Sequence, residues 1–427
     1  MARIVLTTIG SLGDLHPQIA LGLELRARGH EVVFATLEAY REKIESLAFA
    51  FHPIRPDVPV DDPKLAALMM DARKGTKRLL RDYVFGSIRE TYDDLLEACE
   101  GADFLVAGEL AYAGRLAAEM RDLKWAYCAL APFSFCSAYD LPEFPALRFL
   151  SRLRSWGPPT TQRVVNFFKL VSRRWTEPLA QLRRELGLPP SAHPLFEGKY
   201  SPYVVLALFS PLLAAPQPDW PASAVITGFA SYDGKGSQAG LPEQVERFLA
   251  AGEPPILFTL GSAAVLDPGT FYRESVKATV RLGRRAVLLI GKNRPPADLP
   301  KNILAVEYLP YSAIMSRACA IVHQGGIGTT AEALRSGRPT LVVPYSHDQP
   351  DNAMRLERLG TSQTILRKKY TARRAIRQLQ ALLTNPEYAA NAQSVARVVR
   401  VEDGVLVACD LIERQCGVKE VVAGGPT

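Results

Sequence analysis

Two loops of this 427-residue chain carry residue types that can do chemistry. The first is Gly10-Ser-Leu-Gly-Asp-Leu-His-Pro17. It follows the β-branched run Ile4 to Thr8, so the backbone N–H groups around Gly13 can meet a ligand. Asp14 is a carboxylate suited to taking a proton from a hydroxyl nucleophile, and His16 is a second candidate base. Each also has a plainer reading, Asp14 as the cap of a helix opening at Pro17 and His16 as a solvated loop residue. The second loop is His323-Gln-Gly-Gly-Ile-Gly-Thr-Thr-Ala-Glu332. Its glycines allow close backbone approach, and the helix expected over Thr330 to Ser336 supplies N–H groups and a positive dipole end. With the hydroxyls of Thr329 and Thr330 this is an anion cradle suited to a diphosphate. Glu332, one turn in, can accept from ribose hydroxyls. Asp348 and Gln349, after the strand Thr340 to Val343, put an acid beside an amide, a pairing suited to vicinal hydroxyls.

Several chemistries are disfavoured. The first loop has GxxG spacing, short of a dinucleotide fingerprint, and the second lacks the GK[ST] of a Walker loop. No Gly-x-Ser-x-Gly elbow anchors a hydrolase triad. No His/Cys/Asp cluster has metal-ligand spacing, so no metal and no cofactor are expected. The 51 basic residues exceed the 44 acidic ones by 7, but the excess is spread along the chain, which argues against a nucleic-acid partner.

The elements that must position these loops follow from alternation. Ile4–Thr8, a helix from Pro17 to Ala27 ended by Gly29, and Val32–Ala35 form a βαβ unit. A second alternation runs through Ile256–Leu260, Ala286–Ile290, Ala320–His323 and Thr340–Val343. The fold class is therefore α/β, with two doubly wound parallel-sheet (Rossmann-like) domains facing a cleft. The expected division is 1–213, a linker over 214–240 rich in Pro, Gly, Ser and Ala, 241–404, and a C-terminal helical segment 405–427 that packs back on the first domain. Hydrophobic residues are 48% and charged residues 22%, ordinary globular values. The six cysteines form no CxxC pair and read as reduced. The longest apolar run, Val204 to Ala215, is too short to span a bilayer. A cytoplasmic protein, at most peripheral to a membrane, is expected.

At these two loops the chain resembles the family-1 glycosyltransferases of the GT-B fold, over nearly its whole length. GSLGDLHP is similar to the GxxGD-x-x-P loop of bacterial natural-product, rhamnolipid and sterol glycosyltransferases. His323 to Asn352 resembles the family's nucleotide-sugar signature in order and spacing. The resemblance implies Asp14 as catalytic base. It implies Gly326, Gly328, Thr329 and Thr330 at the diphosphate, Glu332 at the ribose, and Asp348 with Gln349 at the donor sugar. Ser262 matches a phosphate-side serine, and Tyr308 and Leu309 lie where the family packs the nucleobase. Bacterial members commonly have two histidines where this chain has His323-Gln324, so Gln324 takes the place of the diphosphate-binding histidine. Glu109 falls near the position of the acid that orients the catalytic histidine of plant members. Here it would face Asp14 and raise a pKa, with a triad-like use of His16 as the alternative.

The implied reaction is an inverting transfer of a sugar from a UDP- or dTDP-sugar, such as UDP-glucose or dTDP-rhamnose, to a hydroxyl. The aromatic, Pro-rich run Ala131 to Pro145 supplies Phe133, Phe135, Tyr139 and Phe144 as acceptor-binding residues. It looks like the corresponding stretch of flavonoid glycosyltransferases, so a small apolar acceptor is expected. Residues between Arg73 and Val84 suit a lipid or sterol acceptor at a membrane face instead. Two other classes stay open, a non-catalytic nucleotide-sugar binder and a nicotinamide oxidoreductase. The oligomeric state carries no sequence signal.

Overall fold

The computed structural model describes residues 1–145, 147–232, 234 and 240–417. Two sheets, every strand parallel to its neighbours, organise them. The first holds β1 Arg3–Thr8, β2 Glu31–Thr36, β3 Ala50–Pro53, β4 Phe104–Ala107, β5 Lys124–Ala129, β6 Val204–Ala207 and β7 Ala224–Ile226. Their order is β3-β2-β1-β4-β5-β6-β7. The second holds β8 Ile256–Thr259, β9 Ala286–Leu289, β10 Ile303–Val306, β11 Ala320–His323, β12 Thr340–Val342 and β13 Ser362–Thr364, in the order β10-β9-β8-β11-β12-β13. Strands β4, β6, β8, β9 and β11 are buried at every position, as parallel strands covered by helices on both faces must be.

Strand order reverses between β1 and β4 in one sheet and between β8 and β11 in the other. Ligand crevices of doubly wound sheets open at such switch points, beyond the carboxyl ends of the strands. The Gly10–Pro17 loop follows β1, Glu109 follows β4, Ser262 follows β8, and the Gly-rich loop follows β11. Topology alone therefore gathers the chemistry-bearing residues at two sheet edges.

Some boundaries differ from expectation. The first helix spans Leu12–Ala27, five residues ahead of Pro17, because Ser11 and Asp14 form a capping box that starts it early. The helix after the Gly-rich loop spans Ile327–Ser336 and ends at Gly337. Strand β7 lies inside the expected linker 214–240, since Ala224–Ile226 adds to the edge of the first sheet beside β6. Gly236 of that stretch lies outside the described residues. The last helix spans Gly404–Gln415, and residues 418–427 of the expected C-terminal segment also lie outside them. Its Ala408, Cys409 and Ile412 are buried in the same apolar cluster as Leu21 and Leu25 of the first helix. Arg28 donates to Asp410 and to Glu413, each at 2.6 Å.

Candidate active site

The capping box that starts the first helix also places its carboxylate. Asp14 Oδ2 accepts from the Ser11 backbone N–H at 2.8 Å and from Ser11 Oγ at 3.2 Å. Oδ1 takes no part in the capping box. Gly10 sits at φ +132°, and a Cβ there would collide with the Asp14 carboxylate folded back beside it. Burial pushes the Asp14 carboxyl up to about 6, against the hydrogen bond from Ser11, and the nearby Glu109 charge adds to the rise. The capping and catalytic readings of Asp14 thus describe one geometry.

Asp14 and Glu109 face a cleft of about 590 Å³ that runs between the two sheets. Gly13, Phe133 and Phe144 line it from the first sheet's side. Ser262, Gln324, Gly326, Gly328, Thr329, Asp348 and Gln349 line it from the second. Ser134 Oγ donates to Glu109 Oε1 at 2.6 Å, and the Ser134 carbonyl accepts from Tyr200 Oη at 3.2 Å. Ser134 thus holds the acid and is itself anchored by Tyr200.

On the donor side, no side chain caps the helix Ile327–Ser336, whose N-cap is Gly326. Its first-turn N–H groups are free to meet an anion. Gln324 Nε2 donates to Thr329 Oγ1 at 3.3 Å. Gln324 is neutral, so an anion at this loop would meet dipoles rather than a side-chain charge. Asp348 sits at the N-cap of the helix Gln349–Arg358. Its carboxyl is pushed up to about 7 by burial and by the charges of Glu109 and Asp14, against a hydrogen bond from Asn352. Gln349 Oε1 accepts from the Tyr345 N–H at 2.9 Å, which turns its amide NH₂ outward as a donor.

Gly261 stands at φ +65°, and an added Cβ would overlap the Gln324 amide nitrogen. Gly261→Ala is expected to displace Gln324 from Thr329 and raise the donor KM about tenfold, the worth of one hydrogen bond, with little change in kcat. Donor titration at saturating acceptor checks this.

Other expected site residues are placed elsewhere. His16 does not line the cleft; it packs edge-on against Tyr232 at 5.2 Å, and burial lowers its pKa to about 4. Phe135 is a core residue stacked on Trp220 at 3.9 Å, and Tyr139 is exposed away from the cleft. His323 is fully buried, its Nδ1 accepting from the Gly325 N–H at 3.1 Å, so it braces the loop. Thr330 is fully buried behind Thr329. Glu332, the exposed Tyr308 and the buried Leu309 do not line the cleft.

Three residues that sequence reasoning did not single out shape the site. Asn352 Nδ2 donates both to the Gly325 carbonyl at 2.9 Å and to Asp348 Oδ2 at 2.7 Å, tying the Gly-rich loop to the start of the helix Gln349–Arg358. His347, at φ +57°, lines the cleft and meets Thr76 Oγ1 through Nδ1 at 3.2 Å. Lys199, buried, lines the cleft near Glu109, and burial lowers its pKa. His347 and Asn352 had a sequence signal, since both lie in the segment His323 to Asn352; Lys199 had none. Of the segment Arg73 to Val84, Arg73, Lys77, Leu79, Leu80, Tyr83 and Val84 all reach the cleft wall.

Known proteins share both the sequence and the fold of this chain. Residues 4–121 match the glycosyltransferase family 28 N-terminal domain, and residues 276–402 match the erythromycin biosynthesis protein CIII-like C-terminal domain. The chain is 34% identical to O-mycaminosyltylonolide 6-deoxyallosyltransferase of Streptomyces fradiae over 431 residues, covering 96% of this chain and 97% of that protein. It is 29% identical to the sterol 3-beta-glucosyltransferase of Yarrowia lipolytica, where 96% of this chain spans only 28% of a longer protein. Among solved structures, the glycotransferase of kitacinnamycin superposes with a TM-score of 0.74 at 22% identity, over 97% of this chain and 99% of that one. The calicheamicin glycosyltransferase CalG4 does so with a TM-score of 0.71 at 17% identity, over 98% of both chains. By its sequence kinship along the whole chain and by its two facing parallel-sheet domains, the protein belongs to the family-1 glycosyltransferases of the GT-B fold.

Proposed function

We propose that this glycosyltransferase moves a sugar from a nucleoside diphosphate to a hydroxyl of a small apolar natural product, with inversion and with Asp14 as base. The observation that carries the reading is the placement of Asp14. Its carboxyl, raised to about 6, faces a cleft whose opposite wall holds Asp348, Gln349 and an uncapped Gly-rich loop. The acceptor hydroxyl loses its proton to Asp14 Oδ1 as its oxygen attacks the anomeric carbon. The C–O bond to the diphosphate breaks, and the departing charge moves toward the N–H groups of the helix Ile327–Ser336. Asp348 and the Gln349 amide hold the sugar hydroxyls, and Glu109 keeps the base poised. The donor is UDP-glucose or a dTDP-deoxyhexose such as dTDP-rhamnose. The name of the Streptomyces relative places 6-deoxyallose on O-mycaminosyltylonolide, which favours the deoxyhexose.

A cleft of about 590 Å³ with mostly apolar walls suits a drug-sized aglycone such as a flavonoid or polyketide. A sterol or lipid is the second acceptor reading, supported by the kinship to sterol glucosyltransferases and by Leu79, Leu80 and Val84 on the wall. We assign acceptor binding to residues 1–213 and donor binding to 241–404, joined through 214–240.

Mass spectrometry of reactions with pooled nucleotide sugars and an acceptor panel of flavonol, macrolide aglycone and sterol tests this. A hexose or deoxyhexose adduct, absent with Asp14→Asn, supports it. Donor turnover that survives Asp14→Asn sinks the assignment of the base. Asp348→Ala is expected to raise the donor KM by about 10–100-fold, as loss of a hydrogen bond to a charged group does, while leaving acceptor KM near its wild-type value.

A further inference from the structure

We propose that the hairpin formed by residues 148–174 docks the protein on an anionic membrane surface, beside the mouth of the acceptor cleft. The run holds Arg148, Arg152, Arg154, Arg163, Lys169, Arg173 and Arg174, and no Asp or Glu. Its helix Pro158–Ser172 has two faces. Thr161, Val164, Val165 and Ser172 are buried against the protein. Arg163, Asn166, Phe167, Leu170, Val171 and, just beyond the helix, Arg174 are exposed, at the spacing of a single helical stripe. Trp156 and Leu170 each keep 71% of their surface exposed, and Phe149 lies exposed on the adjoining turn. Phe167, Leu170 and Val171, together on one exposed helix stripe, mark an interaction surface.

Charge selects the occupant. Glu143 is paired with Arg148 and Glu197 with Lys169, while Arg154 points toward Asp351. Arg152, Arg163, Arg173 and Arg174 have no ion-pair partner among the described residues. An apolar stripe rimmed by unpaired arginines fits a bilayer interface carrying anionic headgroups, where rings enter the acyl boundary and guanidinium groups stay at the phosphates. No helix among the described residues is long and apolar enough to cross a membrane, so the contact is a surface one. The same segment reaches inward. Val171 is exposed and also lines the cleft, as do Phe168 and Trp175. A membrane-dissolved apolar acceptor would pass along this wall from the bilayer to Asp14. The docking itself does not depend on which sugar or acceptor is used.

The 427-residue chain is sedimented with vesicles of phosphatidylcholine alone and of phosphatidylcholine with equimolar phosphatidylglycerol. Binding to the anionic vesicles, weakened by salt, with a blue shift of Trp156 emission that Trp156→Phe removes, is expected. Arg173→Gln with Arg174→Gln should lower the vesicle partition on the order of tenfold. Phe167→Ser with Leu170→Ser should lower it comparably, and these exposed positions should leave the thermal melt and the donor KM unchanged. Absence of binding, equal binding to both vesicles, or binding that survives both double substitutions overturns the proposal. Failed vesicle binding with a concentration-dependent dimer that Phe167→Ser and Leu170→Ser dissociate would assign the face to a protein partner instead.

Discussion

Asp14→Asn is expected to lower turnover by about 10²–10⁴-fold, the usual worth of a general base, and at the same time to make the protein more stable at pH 8. The two effects share one cause. The Asp14 carboxyl ionises near 3.8 when free and near 6 in the folded chain, chiefly because burial disfavours its charge. The native state therefore holds the proton more tightly than the unfolded chain does. The stability Asp14 contributes is fully present below pH 3.8 and is lost as pH rises through about 6. Above that, the ionised group costs the fold on the order of 3 kcal/mol. Asparagine keeps an acceptor for the Ser11 N–H but carries no charge. A weaker cap offsets part of the gain, by about 1 kcal/mol. A net rise in stability of about 1–2 kcal/mol at pH 8, absent at pH 4, is what chemical denaturation should read. Activity follows the opposite limb, because the base must be ionised. In the wild type kcat/KM should fall tenfold per unit as pH drops below about 6. The Asp348→Asn enzyme should keep that limb, which separates Asp14 from the second raised carboxyl. An Asp14→Asn enzyme that keeps its turnover and is less stable at pH 8 would mean the residue is only a cap.

Which parts of this site sequence reasoning reaches follows from how locally each is built. The loops after β1 and β11 are announced by a β-branched run, then glycines, then a helical pattern, so their position at a sheet edge is written within about a dozen residues. The two-sheet architecture follows from the same alternation. Facing directions are harder. The capping box starts the first helix at Leu12, so His16 lies about 200° around the axis from Asp14 and meets Tyr232 instead of the cleft. Thr330 is one helical step, about 100°, past Thr329 and enters the core, while Thr329 meets the cleft. Phe133 and Phe135 sit on one tight turn, yet the first lines the cleft and the second stacks on Trp220. The offset of a helix start decides such outcomes, and composition does not report it. Contacts between distant segments leave no local trace at all, as with Ser346 Oγ, which donates to the Asp71 carbonyl at 3.3 Å.

The most consequential of these distant contacts is a buried ion network, and Arg355→Met is expected to destabilise the protein by about 3–5 kcal/mol. Arg355 is nearly fully buried on the helix Gln349–Arg358. Its Nε donates to Asp351 Oδ2 at 2.7 Å, and its Nη1 donates to Asp140 and to the Leu213 carbonyl at 2.9 Å. Asp351 Oδ1 in turn accepts from the Glu143 N–H at 2.9 Å, and Arg358 Nη1 donates to Asp140 Oδ1 at 3.0 Å. Removing one guanidinium leaves Asp351, which is fully buried, with a charge its remaining partners cannot satisfy. The network spans the molecule. Asp140 and Glu143 belong to the first-domain segment that carries the cleft-lining Phe133 and Phe144, and Arg355 lies two turns beyond Asp348 and Gln349. This also explains Tyr139, which is turned outward beside an aspartate anchored to the opposite domain. The two domains are thus fixed against each other by salt bridges rather than by a shared sheet. Chemical denaturation should show the loss in Arg355→Met, and the KM values for donor and acceptor should rise together. Asp140→Asn in the same chain should cost far less than it does alone, because its buried partner is already gone and only the exposed Arg358 remains. If the two substitutions simply add, the two residues act independently and the network does not couple the sites.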